Sequence, residues 1–199
     1  MSLRPETELK EALRTDAPLD FVRGVLFGDD CWLFEQRVLR QIDASYQTLK
    51  QDVSRALDIN PKEVTLIGSA KIGFSIAPGK TFRPFRKGRS DLDLAIVSPR
   101  LFGMVWASLS EASLRGYSQY ADTHARQIFS KFVILESDTI YKSTYLSDLS
   151  RKTASLNRAV NENVKMKHKV NYRIYADLDA AEGYHVHGIN ELRKELARG

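Results

Sequence analysis

Two aspartates one residue apart, Asp91 and Asp93, interrupt an otherwise apolar run, Ser90-Asp91-Leu92-Asp93-Leu94-Ala95-Ile96-Val97. With a strand's period of two, Leu92, Leu94 and Ile96 point one way and both carboxylates the other. Like charges side by side repel, so the pair needs a cation between its members, or one member must protonate. A hard divalent ion suits it, Mg²⁺ above all with Mn²⁺ as a substitute, because such an ion takes one or two carboxylates together with substrate phosphates. Solvated strand faces carry the same Asp-x-Asp pattern, so the residues upstream matter. There, Val64-Thr65-Leu66-Ile67 reads as a short buried strand ending at Gly68-Ser69 and running into helical turns over 69–77. A strand-to-helix turn of this kind offers backbone N–H groups and a hydroxyl to a phosphate.

These residues have to be positioned by the elements around them. Cys31, Phe34, Val38, Ile42, Tyr46, Leu49, Val53 and Leu57 recur at helical spacing and predict one amphipathic helix over 31–58, stopped by Asn60-Pro61. Strands are predicted at 64–67, 91–97 and 169–175. Pro78-Gly79, Pro84 and Gly88 mark an irregular basic loop between the first two. Ser98-Pro99 supplies a cap and a first-turn proline for a helix closed near Gly116. Residues 118–135, 147–163 and 179–197 read as further helices. The expected fold class is α+β: a mixed β-sheet flanked by helices, with a helical C-terminal half. One domain over 1–199 is expected, with its core at about 31–98 plus a strand at 169–177, and a helical segment at about 99–165.

Composition limits the alternatives. The 199 residues are 43% hydrophobic and 28% charged, the proportions of a folded chain and not of a fibre or a disordered tail. No run of eighteen apolar residues predicts a membrane span, and the N-terminus lacks the apolar core of a secretory signal. Cys31 is the only cysteine, so no internal disulfide can form, and a cytoplasmic location is expected. The net charge of +5 is unevenly placed. Residues 71–100 hold seven basic and two acidic residues, and 151–175 hold seven basic and one acidic. If the two stretches meet, they make a field that attracts phosphates.

Leu66-Ile67-Gly68-Ser69 followed by Ser90-Asp91-Leu92-Asp93-Leu94 resembles the signature of the polymerase-beta-type nucleotidyltransferases. That resemblance implies a nucleotidyltransferase-like fold and an Mg²⁺-dependent enzyme. It would transfer a nucleoside monophosphate from an NTP to a hydroxyl acceptor, with release of pyrophosphate by a two-Mg²⁺ mechanism. It also implies that Gly68 and Ser69 hold the nucleotide phosphates and that Asp91 and Asp93 hold the metals, with a third acidic residue on a later strand. Lys71, Arg86, Lys87 and Arg89 are then candidates for binding phosphate. The acceptor is left open among RNA, a protein, a nucleotide and a small molecule, and the basic 151–175 stretch favours a phosphate-rich one.

Two departures accompany the resemblance. The gap from Ser69 to Asp91 is longer than the family's, and it carries the loop of Lys80 and Arg83. The third strand holds Asn171, Arg173 and Tyr175 on its polar face and no carboxylate. Asp177 keeps the parity of that face, while Asp179-x-x-Glu182 resembles a capping box at the start of the last helix. Asp177 is therefore a candidate both for catalysis and for capping, and Asn171 for a weaker replacement ligand. Without a third acid, the rival expectation is a noncatalytic module that binds nucleotide or RNA. Another is an antitoxin-type enzyme that acts on a protein partner.

Other motifs carry less. Gly79-Lys80-Thr81 lacks the first glycine of a P-loop, and Pro84 interrupts the helix that should follow. His185 and His187 diverge on a helix, so a shared metal is not expected. Phe74, Phe82 and Phe85 interleave with basic residues in a pattern compatible with stacking on a base.

Overall fold

The computed structural model describes residues 4–36, 45–135 and 143–198. Helix α1, Glu6–Thr15, buries Leu9, Ala12 and Leu13, which share one face at helical spacing. Helix α2, Pro18–Phe21, continues as wide turns through Val22–Leu26 and buries Phe21, Val22 and Leu26. The helix expected over 31–58 is not continuous. Trp32–Glu35 is one tight turn, after which Gln36 is extended. Positions 37–44 of that span lie outside the described residues. Helix α3, Tyr46–Leu57, starts afresh at Ser45, whose hydroxyl accepts the Gln47 N–H at 3.2 Å.

Asn60-Pro61 does stop this helix, through a capping arrangement in which Asn60 Oδ1 accepts the Lys62 N–H at 2.9 Å and Glu63 Oε2 accepts the Asn60 N–H at 3.0 Å. Strand β1, Val64–Ile67, follows. It passes through Gly68 into a single helical turn, α4, Ser69–Ile72. Gly73, at φ +92°, ends that turn and leaves no room for the second one expected over 69–77. Strand β2 is Leu92–Val97. Helix α5, Pro99–Leu114, has the expected first-turn proline, but the Ser98 side chain makes no capping bond.

The segment expected as one helix over 118–135 divides. Helix α6 is Ser118–Phe129; Lys131 then takes a left-handed conformation, and Phe132–Leu135 forms strand β3. Helix α7, Thr144–Val164, is longer than expected by a few residues at its start. Strand β4, Val170–Tyr175, and helix α8, Leu178–Leu196, complete the chain. The four strands lie in the order β1-β2-β4-β3. β1 is antiparallel to β2, β2 is parallel to β4, and β4 is antiparallel to β3. The architecture is α+β around a mixed sheet.

Alternation along the strands gives the sheet two unlike faces. Leu92, Leu94, Ile96, Val170, Tyr172 and Ile174 join Leu49 and Val53 of α3, Val105 of α5 and Leu156 of α7 in the main core. On the opposite face, among the described residues, Ile67, Ala95 and Tyr175 form a small buried cluster with Ala181 of α8. Helix α8 is fixed from above by α1 and α2, through Leu13, Phe21 and Leu26 against Ile189 and Leu192. Between α8 and the ends of β1, β2 and β4 the second face is left open.

Candidate functional site

The strand register builds the centre of this opening. Ile67 of β1 pairs with Asp93 of β2, and Asp93 pairs with Asn171 of β4. The Gly68-Ser69 turn and Asp93 are therefore neighbours because β1 ends there. Gly68 sits at φ +69° and ψ −151°, a conformation that only glycine adopts without strain. A Cβ on it would lie 3.2 Å from Asp93 Oδ2, so its bare backbone is also what leaves room for the carboxylate. Asn171 spans the aspartates, its amide donating to Asp93 Oδ1 at 2.9 Å and to Asp91 Oδ2 at 3.4 Å.

The basic loop forms one wall. Its neck is closed by the Phe74–Pro84 bridge and by Ser75 and Arg83, whose N–H and carbonyl bond at 2.8 Å. Its tip is held by Glu195 near the end of α8, which accepts from the Gly79 N–H and from the Thr81 hydroxyl, both at 2.8 Å. Lys80, Arg83, Arg86 and Arg89 line the resulting cleft of about 800 Å³, with Gly68, Ser69, Asp91 and Asp93 at its base. Facing the loop are Arg173 of β4 and Tyr184, His185, His187 and Glu191 of α8. Tyr184, Gly188 and Glu191 recur at steps of four and three, a helix-face spacing that could have identified this wall from the sequence.

Three candidates fall outside the cleft. Lys71 lies two residues past Ser69 on the α4 turn, so it points to the opposite side. Its buried Nζ donates to the Gly28 carbonyl at 2.5 Å and lies 5.0 Å from the Tyr46 ring, and burial lowers its pKa. Lys87 lines a separate depression with Gly88, Lys167, His168 and Lys169. Asp177 caps α8: Oδ1 accepts the Ala180 N–H at 2.7 Å, and Oδ2 lies 3.3 Å from Lys131 Nζ. That bond from Ala180, together with Lys131, holds its carboxyl below the usual range. The cap is thus Asp177 and not Asp179. Asp177 is also six residues along the strand direction from Asn171, about 20 Å at strand rise, which removes it from the carboxylate pair.

The aromatic candidates do not line the cleft: Phe74 and Phe85 are buried, and Phe82 is half-buried with Lys10 Nζ 5.0 Å from its ring centre. Phe82 packs edge-on against Phe74 at 5.6 Å, and Phe85 packs on Trp32 and His168. None is free to stack on a base in the cleft.

The two basic stretches do meet. The Leu92 N–H donates to the Lys169 carbonyl at 2.8 Å, and His168 Nδ1 bonds the Ser90 carbonyl at 2.7 Å. A carbonyl only accepts, so that ring nitrogen carries the proton. Lys87, Lys167 and Lys169 are exposed and, among the described residues, none of them forms a salt bridge with a carboxylate.

His185 is the buried titratable group of the cleft. Burial first, then the charge of Arg173, pushes its imidazole down to about 3 from 6.5. Folded, it is neutral at pH 7. The unfolded chain takes up a proton near pH 6.5, so the stability tied to neutral His185 is present above 6.5 and is lost as pH falls toward 3. The expected slope in that window approaches ~1.4 kcal/mol per pH unit. His185→Phe should therefore flatten the fall in unfolding midpoint between pH 6.5 and 4.5, measured by urea denaturation. Equal slopes for the two proteins would refute this.

Asp91, Asp93 and Asn171 supply oxygen donors that suit one hard divalent cation. Rotation of the Asn171 amide presents Oδ1 beside the two carboxylates, and the missing Cβ of Gly68 leaves the cradle open. No group of three or more His, Cys, Asp or Glu side chains with metal-binding geometry occurs among the described residues. In comparisons with known proteins, no family model, curated protein or solved structure matches the chain.

Proposed function

We propose that this chain is a nucleotidyltransferase of the polymerase-beta-like type, carrying an NTP in the cleft between the basic loop and α8. The observation that carries this reading is the register Ile67–Asp93–Asn171. It brings a glycine-serine turn, two carboxylates and four loop cations around one cavity. The turn N–H groups and Ser69 bind the outer phosphates, while Lys80, Arg83, Arg86 and Arg89 compensate their charge. Asp91 and Asp93 hold Mg²⁺, which when bound neutralises the phosphates and makes an attacking hydroxyl more acidic. The acceptor oxygen forms the new bond to the α-phosphorus as the bond from that phosphorus to the leaving pyrophosphate breaks. The acceptor proton passes to Asp91, the exposed member of the pair.

On the acceptor side, Lys87, Lys167 and Lys169 lie next to the start of β2, which Asp91 immediately precedes; this favours a phosphate-rich acceptor such as a nucleic-acid end. The second reading is a module that binds nucleotide without reacting. Asn171 favours it, because a neutral amide bonds both carboxylates where no third acid is present.

Titration with each NTP, in Mg²⁺ and again in EDTA, separates the two once pyrophosphate release is followed in the same samples after cellular RNA and protein are added as acceptors. Binding that needs Mg²⁺ and is followed by pyrophosphate release supports the enzyme. Binding that persists in EDTA without release supports the module. Lys71→Met should leave triphosphate affinity unchanged, whereas Arg86→Ala should lower it. A loss of affinity in Lys71→Met would contradict the placement of Lys71 outside the cleft.

A further inference from the structure

Two-cation transfer needs enough carboxylate to hold both ions, and among the described residues the sheet side of this cleft has only Asp91 and Asp93; Glu191 lines the opposite wall on α8 and is paired with Lys194 at 2.7 Å. The position paired with Asp93 on β4 is the neutral Asn171. Two residues farther along the same strand face stands Arg173, paired with Ala95 and lining the same cleft.

Its guanidinium is held from the side and not by a carboxylate. It lies 4.5 Å from the centre of the Tyr184 ring and 5.6 Å from that of Phe132. Its Nε is buried without an acceptor, and among the described residues no Asp or Glu lies within salt-bridge distance of it. Neighbouring His185 is neutral, so Arg173 is the fixed positive charge on the α8 side of the cleft. The guanidinium interacts with the Tyr175 hydroxyl and feels the charge of Asp93, yet its Nε keeps a free donor, and a half-buried planar fork of this kind suits a phosphate group.

We propose that Arg173 binds a phosphate of the nucleotide from the side opposite the loop, supplying the charge that a second metal ion would otherwise bring. The site then holds a single divalent cation. This rests on the nucleotide-binding reading above, and it departs from the two-metal expectation for this type of enzyme. Asn171 and Arg173 act as a pair: the amide withholds the third carboxylate, and the guanidinium replaces the ion that this carboxylate would have helped to hold.

The test uses the full chain with inorganic tripolyphosphate and Mn²⁺. Mn²⁺ stoichiometry is read by electron paramagnetic resonance, affinity by calorimetry and folding by circular dichroism. The wild type should bind one Mn²⁺ per chain at saturating tripolyphosphate. Arg173→Gln and Arg173→Lys should stay folded, and Arg173→Gln should weaken tripolyphosphate binding by about tenfold or more. Arg173→Lys should recover part of that loss, because it keeps the charge without the fork. The double variant Asn171→Asp with Arg173→Gln should bind two Mn²⁺ and regain affinity, an outcome that a purely packing role for Arg173 does not give. Two Mn²⁺ in the wild type, or unchanged affinity in folded Arg173→Gln, would overturn this inference and leave the nucleotide site standing. No tripolyphosphate binding by the wild type would overturn both.

Discussion

Asp93→Asn is expected to lower nucleotidyl transfer by on the order of 10³-fold, the scale lost when one preorganised electrostatic group is removed from an active centre. Asp93 is half-buried, bonded by Asn171 and set against Gly68, so its position is fixed from both neighbouring strands. Asp91 is exposed and receives only the longer amide bond, but Asp91→Asn removes a cation ligand and the proton acceptor together, so it should cost at least as much. Neither change should lower the melting temperature, because each removes like-charge repulsion from the pair. Steady-state assays with thermal unfolding on the same samples check both parts. An Asp93→Asn protein that is inactive because it has unfolded would not count as support, whereas a stable variant with wild-type rates would refute the assignment.

Gly68→Ala is expected to have the second large effect, on stability and on the site together. Its φ of +69° with ψ of −151° costs a side-chain-bearing residue ~1–3 kcal/mol. The new methyl would stand 3.2 Å from Asp93 Oδ2, so the carboxylate must shift away from Asn171 or the β1–α4 turn must open. A loss of that size lowers the melting temperature by several degrees in a chain of this length, at ~2–4 °C per kcal/mol. Divalent-ion affinity should fall in parallel. Gly183→Ala is the matched control, since an added Cβ there meets nothing within 4 Å and lies inside helix α8. Alanine favours a helix interior over glycine, so that control should hold or gain stability. Equal melting temperatures for Gly68→Ala and the wild type would show that the turn is not strained as described.

The carboxylate pair and the glycine-serine turn were legible in the sequence because both depend on local periodicity. Alternation alone sends Asp91 and Asp93 away from Leu92, Leu94 and Ile96, and the core burial of those three follows. Contacts that depend on distant chain were not legible. Phe132-Val133-Ile134-Leu135 is a four-residue apolar run, which periodicity cannot tell from the end of a buried helix; pairing with β4 decides it. The break near Gln36 comes from tertiary context, since the apolar spacing over 31–58 continues through it. Lys71 was assigned to phosphate by its closeness to Ser69 along the chain, yet two residues on a helical turn face opposite ways. Arg173 was visible as a polar-face residue of the third strand, but its partners Tyr184 and Phe132 lie on α8 and β3.

The most direct test of transfer in this cleft is incubation with each NTP labelled at the α-phosphate, with Mg²⁺ and with cellular RNA and protein as acceptors. Asp93→Asn runs in parallel, and so do samples with the label at the γ-phosphate. The account predicts an α-labelled product that depends on Mg²⁺ and disappears with Asp93→Asn, while γ-label is recovered only in pyrophosphate. Labelled product of equal yield from wild type and Asp93→Asn, or no α-labelled product from folded protein that binds the NTP, would contradict it.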